Sequence, residues 1–109
     1  MLRSPQSKIR NVVMPHYMVR VELFGASSED YERLHANMDA MGIEREITFS
    51  DKSRRQMPTG TYFGFSSLDI GAMHAKVQKF ADPLSPAKPA AIFAGEIKDG
   101  EWSAFLYLA

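Results

Sequence analysis

Arg20 and Glu22 continue the sequence of His16 and Met18 along every second position of an apolar run, Tyr17-Met18-Val19-Arg20-Val21-Glu22-Leu23. In an extended chain with a two-residue repeat, Tyr17, Val19, Val21 and Leu23 share one face; His16, Met18, Arg20 and Glu22 share the other. A guanidinium, a carboxylate and an imidazole on one open surface are groups suited to RNA. Arginine neutralises phosphate and stabilises charge that develops in a transition state, and a carboxylate can move a proton. Arg20 and Glu22 are therefore the pair on that face with groups that could do chemistry. His16 and, from a later strand, Tyr62 are candidate RNA-binding groups, because aromatic rings stack on unpaired bases. The plainer alternative is that Arg20 and Glu22 are surface residues paired across a sheet.

Lys52, Arg54 and Arg55 make the densest basic cluster. They fall on a polar connection, where cations can grip phosphates without reading sequence. They complete the set of candidate RNA-binding residues, against the alternative of a solvated turn balanced by Asp51. His35 and His74 flank helical apolar residues and carry no assigned role. Glu29 and Asp30 read as helix-capping acids. No glycine-rich phosphate loop or Ser-His-Asp order is present. The three histidines are far apart, and with no cysteine there is neither a disulfide nor a thiolate ligand. No metal or cofactor is expected.

The elements that position these residues follow from periodicity. Strand one spans about 16–24. Ser27, three residues before Asp30, opens a helix over 28–41 with an apolar stripe of Tyr31, Leu34, Met38 and Met41, and Gly42 ends it. Strand two covers about 43–50 and strand three about 59–66, where Gly60 and Gly64 read as a bulge. Ser66, three residues before Asp69, opens a second helix over 68–81 with Ile70, Met73, Val77 and Phe80 inward. Strand four spans 89–97. Lys98-Asp99-Gly100 is a hairpin turn into strand five, 101–108. The order is βαββαβ with an appended strand, which predicts an α+β ferredoxin-like sandwich: both helices on one sheet face, the other face open. Strand five is apolar on both sides, with Trp102, Ala104, Leu106 and Leu108 on one and Phe105 and Tyr107 on the other. Such a strand is buried twice, so a homodimer is expected.

At 109 residues the chain suits one domain. Residues 1–13 lack periodicity and read as a flexible N-terminal extension; 14–109 is the expected ferredoxin-like domain. Lys and Arg total 13, as do Asp and Glu, so the formal charge is zero. That excludes a protein coated in positive charge for non-specific nucleic-acid binding, but not a local basic patch. No apolar run approaches the roughly 20 residues that cross a bilayer, and the start lacks a signal-peptide pattern. A cytoplasmic location away from membranes is expected.

Three stretches also carry a family likeness. Tyr17–Leu23 (YMVRVEL), Asp30–Gly42 (DYERLHANMDAMG) and Met57–Phe63 (MPTGTYF) resemble the GhoS-type antitoxins of type V toxin–antitoxin systems. The likeness covers about 15–67 and fades after Leu68; it includes Arg20, Glu22, Tyr31, His35 and Pro58. It implies a small ferredoxin-like domain similar to CRISPR-associated nucleases, and an endoribonuclease antitoxin that cleaves the messenger RNA of a membrane-acting toxin. Those nucleases end strand one with an aspartate. Here the stretch is Glu22-Leu23-Phe24-Gly25, so metal-dependent hydrolysis is not carried over. A metal-independent cut would use the RNA 2′-hydroxyl as nucleophile, with side chains as base, acid and phosphate clamp, and on this resemblance Arg20 and Glu22 are the candidate catalytic residues. The expectation is an antitoxin-like RNA-binding protein and endoribonuclease acting on toxin mRNA. The alternative is a non-catalytic protein-interaction module, a prophage-type inhibitor or regulator using its open sheet face or last strand. A small-molecule regulatory domain is the third class, with no pocket motif to support it.

Overall fold

The computed structural model describes residues 15–109. The N-terminal extension expected over 1–13 lies outside the described residues. The protein is mixed α+β, with two helices against one face of an antiparallel four-stranded sheet. Strand β1 is His16–Phe24 and helix α1 is Ser28–Ala40. Short strands β2 (Ile43–Glu44), β3 (Glu46–Thr48) and β4 (Arg54–Gln56) follow, then β5 (Thr61–Phe65). Helix α2 is Ile70–Ala81 and strand β6 is Lys88–Ile97. The sheet order is β2-β5-β1-β6, with β3 and β4 forming a separate hairpin.

The two-residue repeat of β1 decides the layers. Tyr17, Val19, Val21 and Leu23 are buried with Leu34 and Met38 of α1 and with Met73, Val77 and Ala81 of α2. Burying each large apolar side chain contributes about 1.5–3 kcal/mol, so this one strand fixes which face the helices cover. The start of α1 follows its sequence signature: Ser27 Oγ accepts from the Asp30 N–H, and the Asp30 carboxylate accepts from the Ser27 N–H. For α2 the cap is Asp69, whose carboxylate accepts from the Ala72 N–H, so the helix begins two residues later than Ser66 suggests. Among the described residues no helix is long and apolar enough to cross a membrane.

Three expectations are corrected. Strand two does not run unbroken over 43–50: Arg45 separates β2 from β3, and β3 leaves the main sheet to pair with β4, inside the stretch 51–56 read as a connection. Gly64 does not mark a bulge. A Cβ there would collide with the carbonyl oxygen of Gly42, so the glycine permits β2 to lie against β5.

The third correction concerns the appended strand, 101–108. The turn does form, with the Glu101 N–H donating to the Lys98 carbonyl. Beyond it the chain makes no ladder with β6 and has a single bridge, Leu108 to Arg55. Trp102 instead packs edge-on against Phe49 and Phe63. Covering an apolar sheet face with an indole outweighs a ladder on a neighbouring edge. The expected alternation holds only in part: Trp102 and Leu106 are half-buried, but Ala104 and Leu108, expected on the same face, are exposed along with Phe105 and Tyr107 (81% and 75%).

Candidate functional site

The face of β1 away from the helices carries His16, Met18, Arg20 and Glu22, as the repeat requires. Antiparallel pairing sets their neighbours. Arg20 lies opposite Thr61 of β5 and Phe93 of β6, and Glu22 lies opposite Ala91. Arg20 and Glu22 are exposed, and among the described residues neither is held in an ion pair. Phe93 stands 66% exposed beside Arg20. The two candidate catalytic residues thus share a solvent-facing ledge with an aromatic ring.

His16 is set apart from that ledge. Its imidazole is edge-on to Phe65, with centroids 4.3 Å apart, and to Phe63 at 5.7 Å. Its Nδ1 lies 4.0 Å from the Asp99 carboxylate. It lines a second cleft with Glu44, Glu46, Arg54 and Asp99. Three carboxylates and one arginine make that cleft acidic, a poor setting for phosphate.

Tyr62 is corrected. It does not join the open face: the register pairs it with Val19, which points to the helices, and it is fully buried. Its hydroxyl lies 2.8 Å from His35 Nδ1 on α1. Burial pushes the Tyr62 phenol up to about 12. Burial, with a smaller contribution from Arg45, pushes the His35 imidazole below its ordinary value. The pair satisfies two polar groups under the helix and leaves no ring for a base to stack on.

The basic cluster forms the β3–β4 hairpin rather than a loose connection. Lys52 sits at its turn, exposed, with φ of 73°. Arg54 is spoken for: it donates to Glu44 at 2.9 Å, Glu46 at 3.2 Å and the Thr48 hydroxyl at 2.8 Å. The Glu44 hydrogen bond is the chief reason its pKa is raised. Arg55 lies over the Phe49 ring, 5.1 Å from its centroid, and donates to the Leu106 carbonyl at 3.1 Å. It therefore pins the C-terminal segment to the hairpin. Lys52 and Arg20 remain as the cations of the candidate set without a carboxylate partner among the described residues.

Between the sheet and the C-terminal segment runs an apolar cleft of about 360 Å³, lined by Met18, Phe63, Trp102 and Leu106, with Arg20 and Thr61 also on its wall. Sequence reasoning missed this cleft because it treated Trp102 as part of a strand. Thr61 lies opposite Arg20 in the register and so shares the open face, a placement that the sequence pattern of β5 does not give. Among the described residues no group of three or more His, Asp or Glu side chains is arranged to hold a metal ion. In comparison with known proteins, no protein-family model and no curated protein matches this chain.

Proposed function

We propose that this chain is a ferredoxin-like, antitoxin-type protein that binds single-stranded RNA on the ledge formed by Arg20, Glu22 and Phe93, and cleaves it without a metal. The observation that carries the reading is the pairing of an unengaged guanidinium with a carboxylate two residues along one exposed strand face. Arg20 would clamp a phosphate and stabilise its developing charge. Glu22 would take the proton of the 2′-hydroxyl as its oxygen bonds phosphorus. The P–O5′ bond would break to leave a 2′,3′-cyclic phosphate, and the departing 5′-oxygen would take a proton from water. Phe93 would supply the stacking surface. The strand order β2-β5-β1-β6, with a helix after β1 and another after β5, supports the ferredoxin-like assignment. The likeness of Tyr17–Leu23, Asp30–Gly42 and Met57–Phe63 to GhoS-type antitoxins supports RNA, with a toxin messenger as the class of target. Incubating the protein with unstructured RNA in EDTA tests cleavage. Fragments ending in 2′,3′-cyclic phosphate are expected from the wild type, and far fewer from Arg20→Ala and Glu22→Gln.

A second reading, a protein-interaction module that self-associates, is favoured by one specific observation. Phe105, Tyr107 and Leu108 project from the C-terminal segment as an exposed apolar cluster. In this reading the cluster is covered by a second copy, and RNA is not involved.

A further inference from the structure

We infer that the cleft under the C-terminal segment is a binding site for a small amphipathic monocarboxylate, with Arg20 and Thr61 holding the carboxylate and Met18, Phe63, Trp102 and Leu106 holding the apolar chain. Two independent observations converge there. The first is the cleft itself: about 360 Å³, apolar along most of its wall, with Arg20 on its wall. The second is Thr61, which lines the same cleft. It is only 3% exposed, and its Oγ1 is buried with no hydrogen-bond partner. Folded proteins leave few hydroxyls in that condition, and rotation of Thr61 about χ1 would turn this one to a ligand oxygen in the cleft. Thr61 and Arg20 are directly paired across β5 and β1, which puts their Cβ atoms about 5 Å apart. From one face of two paired strands, a hydroxyl donor and a longer, planar guanidinium fork can converge on the two oxygens of one carboxylate.

The rest of the wall selects the ligand. An apolar lining with a few convergent polar groups is the ordinary make-up of a small-molecule pocket. The volume is that of about a dozen waters, which suits a ligand of about that many non-hydrogen atoms. A nucleobase would leave its ring donors and acceptors unpaired against Met18, Phe63 and Leu106. Glu22, two residues along the same face, keeps the local charge near neutral and favours a monoanion over a phosphate dianion. Arg20 is shared with the proposed RNA ledge, but the carboxylate site is read from the cleft and is tested without RNA, so it can fail or hold independently of that reading.

Decanoate is the probe, used with the full chain. Equilibrium dialysis with labelled decanoate is expected to give one site per chain, and the fluorescence of Trp102, the single tryptophan, is expected to saturate with it. Decanol should bind at least tenfold more weakly, and decyltrimethylammonium more weakly still. Arg20→Gln, at an exposed position that leaves the core intact, should bring decanoate down to the affinity of decanol. Thr61→Val should weaken decanoate several-fold and leave decanol unchanged. No saturable decanoate site, equal affinity for decanol, or full affinity in Arg20→Gln would each overturn the inference.

Discussion

Tyr62 Oη and His35 Nδ1 lie 2.8 Å apart, joining the central strand β5 to helix α1 beneath the sheet. Burial holds the His35 pKa below that of an exposed imidazole. The folded state therefore binds fewer protons than the unfolded state between the folded pKa and about 6.5. Stability is complete above about pH 6.5 and declines as the pH falls toward the folded value. Urea unfolding at pH 7.5 and pH 5 should show a loss for the wild type that is smaller in His35→Gln. Equal losses would show that this histidine does not titrate on unfolding. Tyr62→Phe should cost about 1 kcal/mol at pH 7.5.

Helix α1 depends on its capping box. Ser27→Ala should cost about 1 kcal/mol in chemical denaturation, through the lost cap. Hydrogen bonds from Ser27 to Asp30 hold that carboxyl below its ordinary value. Its contribution is present at neutral pH and is lost as the pH falls through the folded pKa, so Asp30→Asn should flatten the acid limb of the stability curve, and Ser27→Ala, which keeps the larger backbone N–H bond, should flatten it less.

Gly64→Ala should be among the most damaging single-methyl changes in the chain. The added Cβ meets backbone at Gly42 rather than a side chain that could swing away. Overpacking of this kind costs about 1–3 kcal/mol, and thermal unfolding followed by circular dichroism would measure it. A melting temperature unchanged from wild type would mean that β2 is not held against β5.

What could be read in the sequence was what a short repeat encodes. The two faces of β1, the Ser27 cap and the inward stripe of α1 each depend on residues a few positions apart. The fate of 101–108 did not. Its alternation fits a strand, but what it packs on depends on Phe49 and Phe63, remote in sequence. Tyr62 was misplaced for a related reason. Its face is fixed by its register against Val19, and β5 has apolar residues on both sides, so its own pattern does not give the phase. Arg54 and Arg55 read as free cations because Glu44, Glu46 and the Leu106 carbonyl reach them only through the β3–β4 hairpin and the returning C-terminal segment.

The exposed cluster at the C-terminus bears on assembly. If a second copy covers it, light scattering at micromolar concentration gives a dimer mass. Changing Phe105, Tyr107 and Leu108 together to Ser should then give a monomer that remains folded. A monomeric wild type would remove the dimer from the account.

The most direct test of RNA recognition on the β1 ledge is fluorescence anisotropy with several unstructured RNAs across a salt series. Single strands lose about 0.7 log units of affinity per log unit of salt for each phosphate contact. With zero formal charge, and with Arg54 and Arg55 engaged, the predicted slope is shallow, equivalent to a few contacts. Arg20→Ala should reduce it by about 0.7. Arg54→Ala should change it less, since Glu44 and Glu46 already offset that charge. Binding at low salt with this ordering is the predicted result. No binding to any of the RNAs at low salt, or a slope that Arg20→Ala leaves unchanged, would contradict it.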